Sequence, residues 1–226
     1  RDGVHKSTNH GTNWTKVLGN AVSGGTSDFA TDVEIGADGD IYAGFNNQVW
    51  KSNNGTYGAN TGNVGNWTNI SPAGSYSRSE LFSAPSDSNR VYAMCHVGGS
   101  PAIFRSTTGG TAWTAVTSAS FCDQGTVNAD FTRSQAWYDL IGAVDPNVPA
   151  TIYIGGVDGL KSTDGGTTWT QITSWTGGAN GGCTAPSVYV HADHHAIVFK
   201  PGSSSEILWG TDGGIFRTTN SGTSFT

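Results

Sequence analysis

Apolar and polar residues alternate along this chain in short runs, with Gly, Asn, Ser and Pro between them. Ala102-Ile103-Phe104-Arg105-Ser106 and Trp169-Thr170-Gln171-Ile172 show the pattern. A period of two describes a strand with unlike faces. The same pattern predicts strand pairs over 31–35 and 40–43, 79–83 and 90–93, 139–144 and 151–154, and 194–199 and 206–209. Lys, Glu and Met are scarce, so little in the chain favours helix.

The punctuation is itself periodic. Ser162-Thr163-Asp164-Gly165-Gly166-Thr167-Thr168-Trp169 is the fullest copy of a phrase that also begins at Ser7, Ser106 and Thr218. A fifth copy begins at Ser52 and is interrupted by a Gly/Asn-rich insertion before Trp67. Successive copies start 45, 54, 56 and 56 residues apart. Each copy reads as a hairpin: an Asp or Asn bonds backbone N–H groups two residues on, a Gly takes positive φ, and a Trp folds back over the turn. A single copy would be an ordinary hairpin, but five in phase are a repeat. Four short strands per period describe a β-propeller of four-stranded antiparallel blades.

The repeated phrase resembles the Asp-box, or BNR, repeats of sialidases, sortilin-type receptors and xyloglucan hydrolases. The resemblance covers nearly the whole chain and specifies fold better than function. In those families the Asp-box joins a blade's third and fourth strands, away from the active face. By that resemblance Asn9, Trp14, Asn54, Trp67, Trp113, Asp164, Trp169 and Asn220 are structural. A second likeness lies in Ser134-Gln135-Ala136-Trp137-Tyr138-Asp139, in 191–196 and in 210–214. These segments look like large secreted propellers of Bacteroidota, many exported by type IX secretion. The frame predicts a half blade over 1–18 and blades at about 28–71, 79–118, 136–174 and 193–226. Both ends then supply third and fourth strands, so the expectation is a partial arc of a larger propeller. Its partners would include other parts of a longer chain or the secretion machinery.

Charge narrows the partners further. The net charge is −6 with no basic run, which argues against nucleic acid. No stretch is long and apolar enough for a membrane span, so membrane insertion is not expected. The first residues already belong to a repeat, so any leader was removed or lies outside. A secreted or cell-surface location fits. Cys122 and Cys183 fall in long loops on one face, and an oxidising compartment would let them pair; the alternative is two separate thiols. Cys95 sits in the alternating run 91–95 as a buried free thiol.

The loops between blades and between second and third strands share one face. It would collect 121–135, 174–193, 157–159 and 211–214. Within it, His191, Asp193, His194 and Asp158, with Trp137 and Trp175, are the candidate ligand-binding residues. His191, Asp193 and His195 would share one strand face and are the candidate metal ligands. The alternative is that these groups bond loop backbone. No organic cofactor is implied. Asp212, in Asp212-Gly213-Gly214-Ile215-Phe216, resembles the setting of a catalytic Asp in the xyloglucan hydrolases, one residue shorter. Asp139, Asp158 or Asp193 could supply the second carboxylate a glycosidase needs. The bland reading of Asp212 is an Asp-Gly hairpin turn. A sialidase fits poorly, with six Arg, three Glu and no arginine triad in place. The exposed aromatics Trp137, Tyr138, Trp175 and Tyr189 could stack on sugars or pack between sheets. The reading that results is an extracellular propeller scaffold binding a glycan or protein through its loop face. The alternatives are a glycoside hydrolase and a purely structural module.

Overall fold

The computed structural model describes residues 2–98, 100–178 and 182–226. Arg1, Gly99 and residues 179–181, the last within the expected loop 174–193, lie outside it. β1 (Val4–Lys6) and β2 (Thr15–Leu18) form a hairpin. β3 (Ala30–Ile35), β4 (Ile41–Phe45), β5 (Gln48–Ser52) and β6 (Thr68–Asn69) form the first four-stranded sheet. β7 (Ser79–Ala84), β8 (Asp87–Val97), β9 (Ser100–Ser106) and β10 (Thr114–Ala115) form the second. A small hairpin of β11 (Phe121–Asp123) and β12 (Thr126–Asn128) occupies what the sequence suggested was loop. β13 (Ile141–Val144), β14 (Ile152–Gly155), β15 (Gly159–Ser162) and β16 (Thr170–Gln171) form the third sheet. β17 (His194–Phe199), β18 (Ile207–Thr211) and β19 (Gly214–Thr218) form the fourth, and Thr226 exchanges two backbone bonds with Arg217 at its outer edge.

Among the described residues the strands pair antiparallel with their neighbours in sequence. The first strands contact one another in turn, β3 with β7, β7 with β13 and β13 with β17. The chain is therefore all-β, four antiparallel blades set radially as a propeller. Apolar clusters fill the gaps between sheets. The middle strands of the first three blades are sandwiched on both faces, which corrects the expected one-sided alternation at 91–95: all five residues there are buried. Inner-strand acids tie neighbouring blades, since Asp32 accepts from Leu81 N–H, and Glu34 accepts from both N–H and hydroxyl of Ser83.

The turns explain the repeat. Ser162 Oγ donates to Asp164 Oδ1 and accepts from Gly166 N–H, while Asp164 Oδ1 accepts from Thr168 N–H at 2.9 Å. The same bonds run from Asn9 to Asn13, from Thr108 to Ala112 and from Asn220 to Ser224. The acceptor thus caps the N–H four residues on, not two as expected, because two left-handed residues reverse the chain in between. At that pair stand His10-Gly11, Gly109-Gly110, Gly165-Gly166 and Ser221-Gly222. The Trp rings do cover the turns: a methyl on Gly11, Gly62, Gly110 or Gly166 would meet the ring of Trp14, Trp67, Trp113 or Trp169 at 3.4–3.9 Å.

The interrupted copy departs from this. Its insertion forms a one-turn helix, α1 (Asn54–Tyr57), capped by Asn53. Asn54 does not take the capping role expected of it; its side chain bonds Asp38 O and Thr61 instead. The rest of the turn survives, with Gly62 N–H still bound to Ser52 Oγ at 2.7 Å across the insertion.

A basic residue fastens each blade to the next. Lys6, Lys51, Arg105 and Lys161 donate to the carbonyls of Thr61, Gly109, Gly165 and Ser221, the residues just before the turn glycines. Trp113 and Trp169 add indole N–H bonds to Ile70 O and Thr117 O of the preceding blade.

Its hydrogen bonds to Thr168 and Ser162 hold the Asp164 carboxyl down at about 2. A depressed folded-state value stabilises above the unfolded value, near 3.8, and that contribution fades as pH falls toward 2. Asp164→Ala is therefore expected to lower the melting temperature at neutral pH, with the gap from wild type closing near pH 2. A variant of unchanged stability that lost ligand binding would show the carboxylate to be functional instead.

Candidate functional site

The segment 130–139 enters the third blade as tight turns. Asp130 caps them, accepting from the N–H groups of Thr132 and Ser134. Arg78, from the edge of the second blade, donates to Tyr138 O and Leu140 O at 3.0 Å and so grips the backbone on both sides of Asp139. This fixes Trp137 and Tyr138 at the surface, where they are 64% and 39% exposed, rings 5.5 Å apart. Nothing in the sequence singled out Arg78; its position immediately before an inner strand was the available signal.

Asp212 lies in the β18–β19 turn, and the fold brings it across to Tyr138. The Tyr138 hydroxyl donates to Asp212 Oδ1 and Oδ2 at 2.9 and 3.0 Å. His195 Nε2 lies 2.8 Å from Asp212 Oδ1, and its ring packs edge-on against Tyr138 at 4.7 Å. The Tyr138 hydroxyl and then His195 hold the Asp212 carboxyl below its ordinary range, so Asp212 is a carboxylate at neutral pH. The same bond raises the Tyr138 phenol. Asp212 is thus more than a plain turn residue, since it joins two blades. Tyr189 is exposed and lies edge-on to Phe216 of β19.

Asp139 is enclosed, with no partner for either carboxyl oxygen among the described residues. Burial raises its carboxyl to about 8, and the Asp193 charge adds to this. Asp139 is therefore protonated at neutral pH, but it has no exposed surface with which to touch a ligand as it stands.

Other candidates fall elsewhere. His194 is wholly buried against Trp209, with Nε2 on His191 O, and burial lowers it to about 3, so it is a neutral core residue. Asp158 is buried too, receiving the Trp175 N–H at 2.8 Å and bonds from Thr173 and Gln171. Trp175 packs under Arg133 and donates to Asp123, so both anchor the loop. Burial raises the Asp158 carboxyl to about 8. His191 and Asp193 precede β17, and Asp193 has φ +61°, so strand alternation does not align them with His195. His191 Nδ1 meets Ala192 O, and His195 turns to Asp212. Among the described residues no three His, Cys, Asp or Glu groups are placed to hold a metal. Cys122 and Cys183 are joined as a disulfide, Cα atoms 5.7 Å apart, and Cys95 is a buried free thiol.

No family model matches the chain, and no curated protein does. Solved structures do. The GH74 enzyme of Niastella koreensis superposes with a TM-score of 0.56 at 23% identity, over 88% of this chain and 29% of its own. An ancestral GH74 enzyme gives 0.62 at 17%, over 100% of this chain and 28% of its own. YCF48 from Cyanidioschyzon merolae gives 0.56 at 15%, over 95% and 60%. What is shared is the propeller fold. This chain spans under a third of the length of either GH74 enzyme.

Proposed function

We propose that this protein is an extracellular propeller scaffold that binds carbohydrate on the platform of Trp137, Tyr138, His195 and Asp212. The observation that carries the reading is the exposed Trp137–Tyr138 pair set beside an ionised Asp212. Sugar rings stack on exposed aromatic faces, and a carboxylate accepts their hydroxyl protons. Arg78 and the blade packing hold the platform rigid, which lowers the entropy cost of binding. The Cys122–Cys183 bridge supports a compartment outside the reducing cytoplasm, as does the likeness to secreted propellers.

Trp137→Ala and Asp212→Asn are each expected to weaken binding to a glucan or xyloglucan by about tenfold or more, with melting temperature little changed for Trp137→Ala. Affinity electrophoresis and calorimetry against polysaccharides would show it. Wild-type protein that ignores every polysaccharide but binds a peptide would replace the glycan with a protein ligand. Binding indifferent to both variants would remove the platform from the reading.

A second reading, a glycoside hydrolase, is favoured by one observation: Asp212 ionised and Asp139 held protonated are the unlike acids such chemistry uses. Release of reducing sugar by wild type and its loss in Asp212→Asn would decide for it. Asp139 would first have to become accessible.

A further inference from the structure

We propose, resting on the carbohydrate reading, that the platform selects sugars carrying a protonated amine, the glucosamine class, over neutral, N-acetylated and acidic ones. The donors of its polar groups are already spent. The Tyr138 hydroxyl donates to both Asp212 oxygens. An ionised carboxylate only accepts, so His195 gives it the Nε2–H, and Nδ1 of the neutral ring is left an acceptor. The Arg78 guanidinium is engaged by the carbonyls of Ala136, Tyr138 and Leu140 and by Glu80.

What remains is acceptor and aromatic face. Asp212 keeps 40% of its side chain exposed, and the donors of Tyr138 and His195 leave part of a carboxylate's about four acceptor sites open. Among the described residues no Lys or Arg pairs with it, and the Asp193 charge adds to the negative field at the Tyr138 hydroxyl. His191 packs so closely on Gly213 that no side chain would fit there, which backs the turn carrying Asp212. An ammonium is the complement of such a surface. It has three donors and no acceptor, its charge strengthens a bond to a carboxylate, and it is drawn to the faces of Trp and Tyr. N-acetylation replaces the charge with an amide whose carbonyl needs a donor, and a uronate sets a like charge beside Asp212. A neutral sugar stacks as well but brings no charge.

Calorimetry at neutral pH with glucosamine, N-acetylglucosamine and glucose oligosaccharides of equal length tests this. The glucosamine oligomer is expected to bind about tenfold or more tightly than either of the others, and added salt should erode the difference. Asp212→Asn should abolish the preference. Asp38→Asn, which removes the same charge from an exposed turn of the first blade, should keep it. Equal binding of the three oligomers would overturn the preference and leave the carbohydrate reading standing. Binding of none of them, or of an oligolysine peptide alone, would overturn both. A preference that survives in Asp212→Asn would overturn the proposal. So would one lost equally in Asp38→Asn, because the net charge of −6 would then account for it.

Discussion

Gly142→Val is expected to destabilise the protein by about 3 kcal/mol and to leave a fraction of it unfolded at ordinary temperature. Gly142 lies in β13, paired with Ile154, where the inner strand passes the second blade. A Cβ there would sit 2.4–2.7 Å from three ring atoms of Phe82. Phe82 cannot give way, because its ring is stacked on Tyr92 at 5.2 Å and 7° and is almost wholly buried. Interiors packed this densely relax by moving backbone, here by forcing two blades apart. Alanine at 142 should act in the same direction with a smaller loss. Urea denaturation would measure both, and removing the obstacle with Phe82→Ala should make the valine less harmful than it is alone. A Gly142→Ala protein as stable as wild type would show that the blades are not packed as described.

Breaking the Cys122–Cys183 bridge should cost about 4 kcal/mol in the chain-entropy account, because the bond spans 61 residues and the whole third blade. Cys122 is fixed by the Gln171 side chain, which in turn bonds Asp158 and Thr173 O. Cys183 N–H bonds Gly125 O in the β11–β12 turn. Reduction would thus loosen the loop that carries Trp175. Adding reductant, or Cys122→Ser, is expected to lower the melting temperature by several degrees. Mass spectrometry of a non-reduced digest should find the linked peptides. Free alkylated thiols at both positions in the native protein would dispose of the bond. Cys95 should resist alkylation until unfolding, since burial pushes its thiol up to about 12.

The blades were legible in the sequence because each carries its own local code. Ser162, Asp164 and Gly166 bond one another within five residues, so their spacing alone reports the turn. Strand pairs such as 194–199 and 206–209 showed for the same reason, as each alternates over a short span. The site was less legible. Asp212 was singled out by its Gly-Gly context, but its partners Tyr138 and His195 stand 74 and 17 residues away. Only the radial packing of two blades brings them together. The histidine cluster misled because density in sequence is not proximity of side chains. One left-handed residue, Asp193, breaks the alternation, sends His194 into the core and leaves His195 facing Asp212. Asp158 and Trp175 looked like surface chemistry because a buried loop anchor and an exposed ligand contact use the same residue types.

The interrupted turn after β5 has a practical consequence. Ser52 and Gly62 stay joined while a small helix bulges out between them, and Lys6 still finds the Thr61 carbonyl. The blade keeps those two anchors, and Asn54 at the start of the insertion ties back to Asp38 and Asp40, which leaves the stretch from Thr56 to Asn60 as the part that can be lengthened. In an antiparallel blade this turn and the β18–β19 turn point to opposite rims. A foreign peptide spliced into the bulge would therefore be displayed on the rim away from Trp137 and Asp212, offering a handle for tethering the molecule to a bead or chip with its platform still facing solution.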